Sequence, residues 1–253
     1  MKLLLSLLVS LLLFQCKQVA EKDQVAQTAP LKENQTALPD STCTCDTLKA
    51  KLNFHSDLTF SNNGRPFDTL VLAPWKNNPD SKKITSLTLI DFDTIPQAMK
   101  VFDQVDKVFL QAINHKNVQG LEHLPNLKYL VAEEERFQWD STTTWIQNLE
   151  VIIANKTSIA GLNSFRRIPN LKQILLSFSG FEEFPQDIGF LECLSFVDIG
   201  AHTFGSIDLS KINFSQSNCI QEIAFHSWHK NITGLPIGWE NIPNVNINHQ
   251  ILL

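Results

Sequence analysis

The chain has 253 residues, a hydrophobic content of 43% and a formal net charge of −5 at pH 7. This hydrophobic content is enough for a packed core, and the negative net charge argues against a nucleic-acid-binding protein, which needs a basic surface. One Tyr stands against 17 Phe, which indicates that the apolar positions are built for burial.

The N-terminus has the pattern of an export signal. One lysine precedes an apolar run over residues 3–14, which is too short for a membrane-spanning helix. The run ends in Leu13-Phe-Gln-Cys16, which resembles a bacterial lipoprotein signal with Leu at the third position before the cysteine. The resemblance implies that residues 1–15 are removed and that Cys16 is lipidated, which would anchor the protein to a membrane of the cell envelope. The alternative is an ordinary secretory signal cut further along, near Ala20, and a secreted protein.

Two segments separate this signal from the rest of the chain. Residues 16–41 lack aromatic side chains and are rich in Gln, Lys, Glu, Ala and Thr, which predicts a disordered tether. Residues 42–66 are expected to cap the folded part, and the spacing from Asp46 to Leu52 predicts a helix there.

A short apolar phrase, L-x-x-L-x-L, recurs along the remainder of the chain. Its starts lie at residues 84, 105, 127, 149, 171, 194, 220 and 245. Alternation of apolar and other residues is typical of a strand, and a period of this length indicates stacked supersecondary units. We therefore expect consecutive strands to bury Leu130, Ile152, Ile174 and Val197.

The repeats over residues 67–253 resemble the leucine-rich repeat family, most closely its short bacterial, internalin-like class. The resemblance rests on stretches such as Val118-Gln-Gly-Leu121-Glu-His-Leu124-Pro-Asn-Leu127-Lys-Tyr-Leu130. It implies an α/β solenoid: a right-handed superhelix with a parallel β-sheet on its concave face and short turns, 3-10 or helical segments on its convex face. The family's turn asparagine is replaced here by Glu135, Thr157, Ser179, His202 and Trp228. Thr and Ser can bind local backbone, but Trp cannot, so we expect looser turns, chiefly after Phe225.

Four cysteines follow Cys16. Cys193 and Cys219 each precede a repeat start, so they occupy equivalent positions in neighbouring repeats. Strands lie about 4.7–4.9 Å apart, which is within reach of a disulfide. The spacing predicts a Cys193–Cys219 bridge, with two buried free thiols as the alternative, and it leaves Cys43 and Cys45 unassigned.

The outward positions of the predicted strands are unusually apolar. They are Phe109, Val131, Ile153 and Leu175 in one column and Tyr129, Val151 and Phe196 in the next. Lys107, Gln173 and Glu222 interrupt the second column, and Glu133, Asp198 and Glu222 lie at the margins. An exposed apolar column of this kind marks an interaction surface. We expect a partner to bind Phe109, Tyr129, Val131, Ile153, Leu175 and Phe196. The alternatives are plain strand propensity, or a register shifted by one residue.

No catalytic motif was found, and His226, His229 and Glu133-Glu-Glu135 are read as turn and edge residues rather than as a metal site. The sequence therefore predicts a non-catalytic protein, without cofactor or metal, that binds a protein or other macromolecule. One alternative is a structural envelope lipoprotein that self-associates as a homodimer through its C-terminal edge. Another is an enzyme with a site on loops near residues 200–215 or 226–241.

Overall fold

The structure is a computed structural model that describes residues 45–51, 55–62, 67–111, 119–134, 136–138, 145–162, 164–181, 184–201, 207–227, 232–247 and 250–252. All of them belong to the second of two units into which the chain divides, residues 42–253. The predicted signal peptide, the tether and lipidation at Cys16 lie outside the described residues.

One ten-stranded sheet runs through this unit. Its strands are β1 (Leu58–Ser61), β2 (Ser86–Ile90), β3 (Lys107–Gln111), β4 (Tyr129–Glu133), β5 (Val151–Asn155), β6 (Gln173–Ser177), β7 (Phe196–Ala201), β8 (Glu222–Ser227), β9 (Asn244–Ile247) and β10 (Gln250–Leu252). The strands lie side by side in chain order. The first nine are parallel, and β10 folds back antiparallel to β9. A parallel sheet built from sequential repeats was predicted, and this part of the prediction is confirmed.

Short 3-10 helices connect the strands. They span Thr69–Trp75, Pro79–Lys83, Gln97–Val101, Leu121–His123, Trp145–Asn148, Phe165–Arg167, Gln186–Phe190, Leu209–Lys211 and Trp239–Asn241. Two small parallel sheets lie in the same connections, one of Arg136–Gln138, Ser158–Ala160 and Gly180–Phe181, the other of Ile207–Asp208 and Ile232–Thr233. Leu124, Phe165 and Ile188 from these connections are fully buried in the main core.

The strand register confirms the predicted core. Leu130 pairs with Ile152, Ile152 with Ile174 and Ile174 with Val197. All four belong to the main core and are at most 2% exposed.

One repeat start was predicted wrongly. Val245 pairs with Ile223, which is the second apolar position of its repeat, so the last repeat begins at Ile242 and not at residue 245. The misleading signal was Ile242-Pro-Asn244, which copies the Ile168-Pro-Asn170 that precedes the start at Leu171.

Asparagine side chains link successive repeats through hydrogen bonds. The side-chain amides of Asn126, Asn148 and Asn170 donate to carbonyl oxygens of the preceding repeat over 2.6, 3.1 and 2.7 Å. Pairing of β6 with β7 and of β7 with β8 places Cys193 and Cys219 at the equivalent positions. A cysteine cannot supply this two-donor amide, so these two repeats need another restraint.

The turns after β4, β5 and β6 each contain a residue with a positive φ angle, called here the corner. Glu134, Lys156 and Phe178, at equivalent positions after β4, β5 and β6, have φ of 58°, 53° and 51°. Thr157 and Ser179 follow two of these corners and bind the turn backbone, as their chemistry predicted. The turn predicted to be loosest falls on residues 228–231, outside the described residues.

The helix predicted from Asp46 to Leu52 is wrong, because residues 45–51 contain no helix. Backbone N–H groups of this segment bond instead to side chains of distant strands. Later in the predicted cap, β1 joins the sheet by pairing with β2.

A sheet face closed by an N-terminal strap

The sheet face opposite the main core, called here the second face, carries the predicted columns. Phe109 pairs with Val131, Val131 with Ile153 and Ile153 with Leu175. In the neighbouring column the order is Tyr129, Val151, Gln173 and Phe196. The predicted assignment of faces is therefore correct.

These side chains form an apolar cluster separate from the main core. It consists of Val131, Val151, Ile153, Leu175 and Phe196, with Phe109, Tyr129 and Ala50 packed against it. The five central members are only 2–8% exposed. The prediction of an exposed apolar column is therefore wrong for Val131, Ile153, Leu175 and Phe196, while Phe109 and Tyr129 are partly buried.

Residues 45–51, called here the strap, reach this face. Ala50 packs against the cluster, and Lys49, Asp46 and Cys45 contact residues of β7, β8 and the turns that precede them. The sequence signal for this contact was weak, because the partners of the strap lie more than 120 residues away.

Gln173 holds the strap through its backbone. Its Oε1 accepts a hydrogen bond from the Ala50 N–H at 2.7 Å, and its Nε2 donates to the Leu48 carbonyl oxygen at 3.1 Å. The same Nε2 donates to Asp46 Oδ2 at 2.7 Å. Gln173 is 3% exposed, so these bonds satisfy an amide that would otherwise be buried without partners. The sequence showed Gln173 only as an interruption of the apolar column.

Ser195 provides a second backbone contact. Its Oγ accepts a hydrogen bond from the Asp46 N–H at 3.1 Å and donates to the Cys193 carbonyl oxygen at 3.3 Å. Since Ser195 is fully buried, it fixes the strap at the N-terminal end of β7.

Two carboxylates bind the lysine of the strap. Lys49 Nζ lies 2.6 Å from Asp198 Oδ2 and 2.7 Å from Glu222 Oε1. Burial alone would lower the pKa of Lys49, but hydrogen bonds and charge from the two carboxylates outweigh it and raise that pKa above its ordinary value. The ammonium stays charged at neutral pH. Asp198 and Glu222 had been predicted as margins of the binding surface.

A disulfide closes the start of the strap. Cys45 is bonded to Cys219, with Cα atoms 4.9 Å apart and a sequence separation of 174. The predicted Cys193–Cys219 bridge is therefore wrong, because the strap delivers a different thiol to Cys219. Cys193 is also disulfide-bonded.

A charged row lies beside the cluster. Glu150 is 3.2 Å from Lys128 Nζ and 3.0 Å from Lys172 Nζ. Burial would raise the pKa of Glu150, but hydrogen bonds from Lys172 and Lys128 hold it below its ordinary value.

The Tyr129 phenol lies near this row. Burial, with the nearby charges of Glu150 and Asp46, raises the pKa of the Tyr129 phenol. Tyr129 is therefore neutral at physiological pH, and Lys107 Nζ lies 5.4 Å from its ring centroid.

The other candidate sites from the sequence are the possible metal ligands and the two loops considered for an enzyme. Among the described residues, no group of three or more His, Cys, Asp or Glu is placed to hold a metal ion. Glu134 pairs with Lys156 at 2.9 Å, and Glu133 accepts a hydrogen bond from Asn155 at 3.2 Å. Glu135 and His229 lie outside the described residues, as do parts of both loops considered for an enzyme.

No protein-family model matches the chain, and the search of curated proteins found no match. Of the helices that the structure describes, none has the length and apolar character needed to cross a membrane. The second face is therefore described by its own geometry: it has apolar area, buried hydrogen-bonding groups and paired charges.

Proposed function

We propose that the chain is a leucine-rich repeat protein of the short bacterial class, an α/β solenoid with the second face on its concave side. Three features support this proposal. The repeats are in register across β2 to β9, 3-10 helices form the opposite layer, and Asn, Thr and Ser side chains bind the turns.

The proposed function is non-catalytic binding of a protein, or another macromolecule, at the cell envelope or outside the cell. One observation carries it: the second face bears an apolar cluster distinct from the main core. In stacked-repeat proteins the sheet face away from the main core forms the extended surface used for binding, so apolar residues there are not needed to build the main core. In this proposal a lipid on Cys16 holds the protein at the envelope.

The accessible part of this face lies toward β3 and β4. Phe109 and Tyr129 are partly buried and border the cluster, with Lys107 exposed beside them. Val131, Ile153, Leu175 and Phe196 are buried, and Ala50 of the strap packs against this cluster, so a partner would reach the cluster only once this packing is displaced.

A capture experiment with the mature protein tests this function. Wild-type protein and Phe109→Asp are immobilised separately and exposed to envelope extract and to culture supernatant. The proposal expects a retained protein that Phe109→Asp loses, since a charge at the centre of a desolvated contact is costly. The matched control is Lys100→Asp, on an exposed position of a 3-10 helix, which should retain the partner. Equal retention by all three proteins would reject the second face as the binding surface.

Self-association is the second candidate function. It rests on β10, which follows β9 and ends the sheet as described. An edge strand presents backbone hydrogen-bonding groups that a second copy can pair with. Sedimentation velocity over a range of concentrations tests it: a concentration-dependent dimer that is lost with Ile251→Pro supports edge pairing, and a monomer at all concentrations rejects it.

A further inference from the structure

We propose that the second face binds polypeptide segments of a partner, and that the strap is a resting occupant of the same site. The partner segment would carry a lysine or arginine directly before the residue whose N–H is bound by Gln173. This inference rests on the proposed function and names the class of ligand.

The first argument is backbone recognition. Gln173 accepts from the N–H of Ala50 and donates to the carbonyl oxygen of Leu48, so it binds two main-chain groups that every polypeptide contains. Ser195 binds a third, the N–H of Asp46. None of these three contacts depends on the identity of the strap residue. A segment from another protein could make them equally well if its backbone followed the same path.

The second argument is charge. Asp198 and Glu222 place two carboxylate oxygens 2.6 and 2.7 Å from one ammonium nitrogen. Without Lys49 these two carboxylates would face each other across a partly buried site with no cation between them, which is unfavourable. A basic side chain is therefore the selective part of the ligand, and only a small residue such as Ala is needed next to it against the cluster.

The third argument is that the strap occupies the site incompletely. Leu48 is 82% exposed, so the one large apolar side chain in the strap makes little use of the apolar cluster. Phe109 and Tyr129 remain partly buried beside it. A longer segment with an apolar residue over Phe109 and Tyr129 would bury additional apolar area. The free energy of this additional burial is what would let a partner displace the covalently held strap.

The Cys45–Cys219 bond gives the strap its advantage over any free segment. A tethered segment acts at an effective concentration in the millimolar range. The test therefore uses the full mature chain with the strap opened, by Cys45→Ser, Cys193→Ser and Cys219→Ser to remove the disulfides of Cys193 and Cys219 and Lys49→Glu to repel the strap from Asp198 and Glu222. The probe is a fluorescein-labelled peptide with the sequence of residues 44–51 and Ser in place of Cys45.

Fluorescence anisotropy should show saturable binding of this peptide to the opened chain. Adding Gln173→Leu, which keeps the shape and removes the hydrogen bonds, should weaken binding at least tenfold. A peptide with Glu in place of its Lys49 should also bind at least tenfold more weakly. The wild-type chain, with its strap in place, should not bind the peptide at the same concentrations.

Equal affinity with and without Gln173→Leu would overturn the proposal, and so would the absence of binding to an opened chain with native circular dichroism. If the opened chain does not fold, the same peptide is tested on the Lys49→Glu variant reduced under native conditions, in which the strap has lost both its disulfide and its ion pairs, and absence of binding there counts equally against it. Capture of a partner that depends on Phe109, together with indifference to this peptide, would retain the proposed function and reject the ligand class.

Discussion

Ser179 accepts a hydrogen bond from the backbone N–H of Thr157 through its Oγ, over 3.0 Å and 22 residues of sequence. The same Oγ donates to the Ser177 carbonyl oxygen at 2.9 Å. Thr157 in turn donates to the Asn155 carbonyl oxygen at 3.1 Å. Both side chains are buried, so the two hydroxyls form a small ladder that holds successive turns at a fixed spacing.

Ser179→Ala should therefore lower the free energy of unfolding by about 1–3 kcal/mol, because the buried Thr157 N–H loses its acceptor. Urea denaturation followed by circular dichroism measures the change. Ser177→Ala is the matched control, since Ser177 is exposed and contributes its carbonyl oxygen rather than its side chain. Equal small effects of both substitutions would show that the ladder does not stabilise the turns.

The repeats were predictable because their information is local and is copied many times. Leu130 and Ile152 lie in phrases of the same pattern, so register and faces follow from periodicity. Thr157 and Ser179 were predictable in the same way, since hydroxyl side chains at a turn position bind nearby backbone.

The strap was not predictable, because it is a single segment whose partners are distant. Asp46 bonds to Ser195 at a sequence separation of 149, and the described parts of the repeats offer no second copy of this contact for comparison. The local helical spacing of the segment competed with these contacts and was overridden by them. The disulfide was mispredicted for the same reason: Cys193 and Cys219 are neighbours in the repeat pattern, whereas Cys45 reaches Cys219 only through the strap.

Ile174→Ala tests the assignment of the main core. Ile174 is fully buried in β6, and removal of such a side chain costs about 2–5 kcal/mol. We expect a clear fall in melting temperature and in the urea midpoint. Lys100→Ala, on an exposed position, should leave both nearly unchanged, because it should alter the free energy of unfolding by no more than about 0.5 kcal/mol. If both variants melted alike, the inward register of β6 would be wrong.

The Cys45–Cys219 disulfide has a chemical and an energetic test. Trypsin cleaves after Lys32, Lys49, Lys211 and Lys230, so non-reducing mass spectrometry should find fragment 33–49 joined to fragment 212–230. Fragment 33–49 also holds Cys43, so Cys45→Ser should abolish this link and Cys43→Ser should not. Replacing Cys45 and Cys219 by Ser should lower the free energy of unfolding by about 2–4 kcal/mol, because the bond closes a long loop. A direct link between the Cys219 and Cys193 fragments, without fragment 33–49, would contradict the structure.

Asp57 gives the protein a predictable response to acid. Its carboxylate accepts hydrogen bonds from the backbone N–H groups of Thr85 and Ser86 at 2.8 and 3.0 Å. The Thr85 N–H is the main cause that holds the pKa of Asp57 below its ordinary value. A group with a lowered folded-state pKa stabilises the fold above its unfolded-state pKa, about 4, and this contribution is lost as the pH falls through the folded-state value.

The free energy of unfolding of wild-type protein and Asp57→Asn should therefore differ at pH 5 and above, and the two curves should converge in acid. We expect a difference below about 1 kcal/mol, because Asp57 is largely exposed. Urea titrations between pH 2.5 and pH 7 measure it, with the exposed Glu240→Gln as the control. A difference that grows as the pH falls would have the wrong sign for this contact.

Ile153→Asp separates the second face from the main core. Ile153 is 5% exposed and belongs to the cluster against which Ala50 packs, so a carboxylate there returns to water only if the strap lifts. We expect a destabilisation of roughly 1–3 kcal/mol, the usual cost of a buried polar group without partners. Hydrogen exchange should then show loss of protection at the Ala50 amide, which Gln173 binds, while the Ile174 amide in β6 stays protected. Ile153→Leu, which conserves volume, should leave both amides protected.

Unfolding of the whole chain by Ile153→Asp would mean that the cluster is part of the main core. Unchanged protection of the Ala50 amide would mean that the position of the strap does not depend on the cluster.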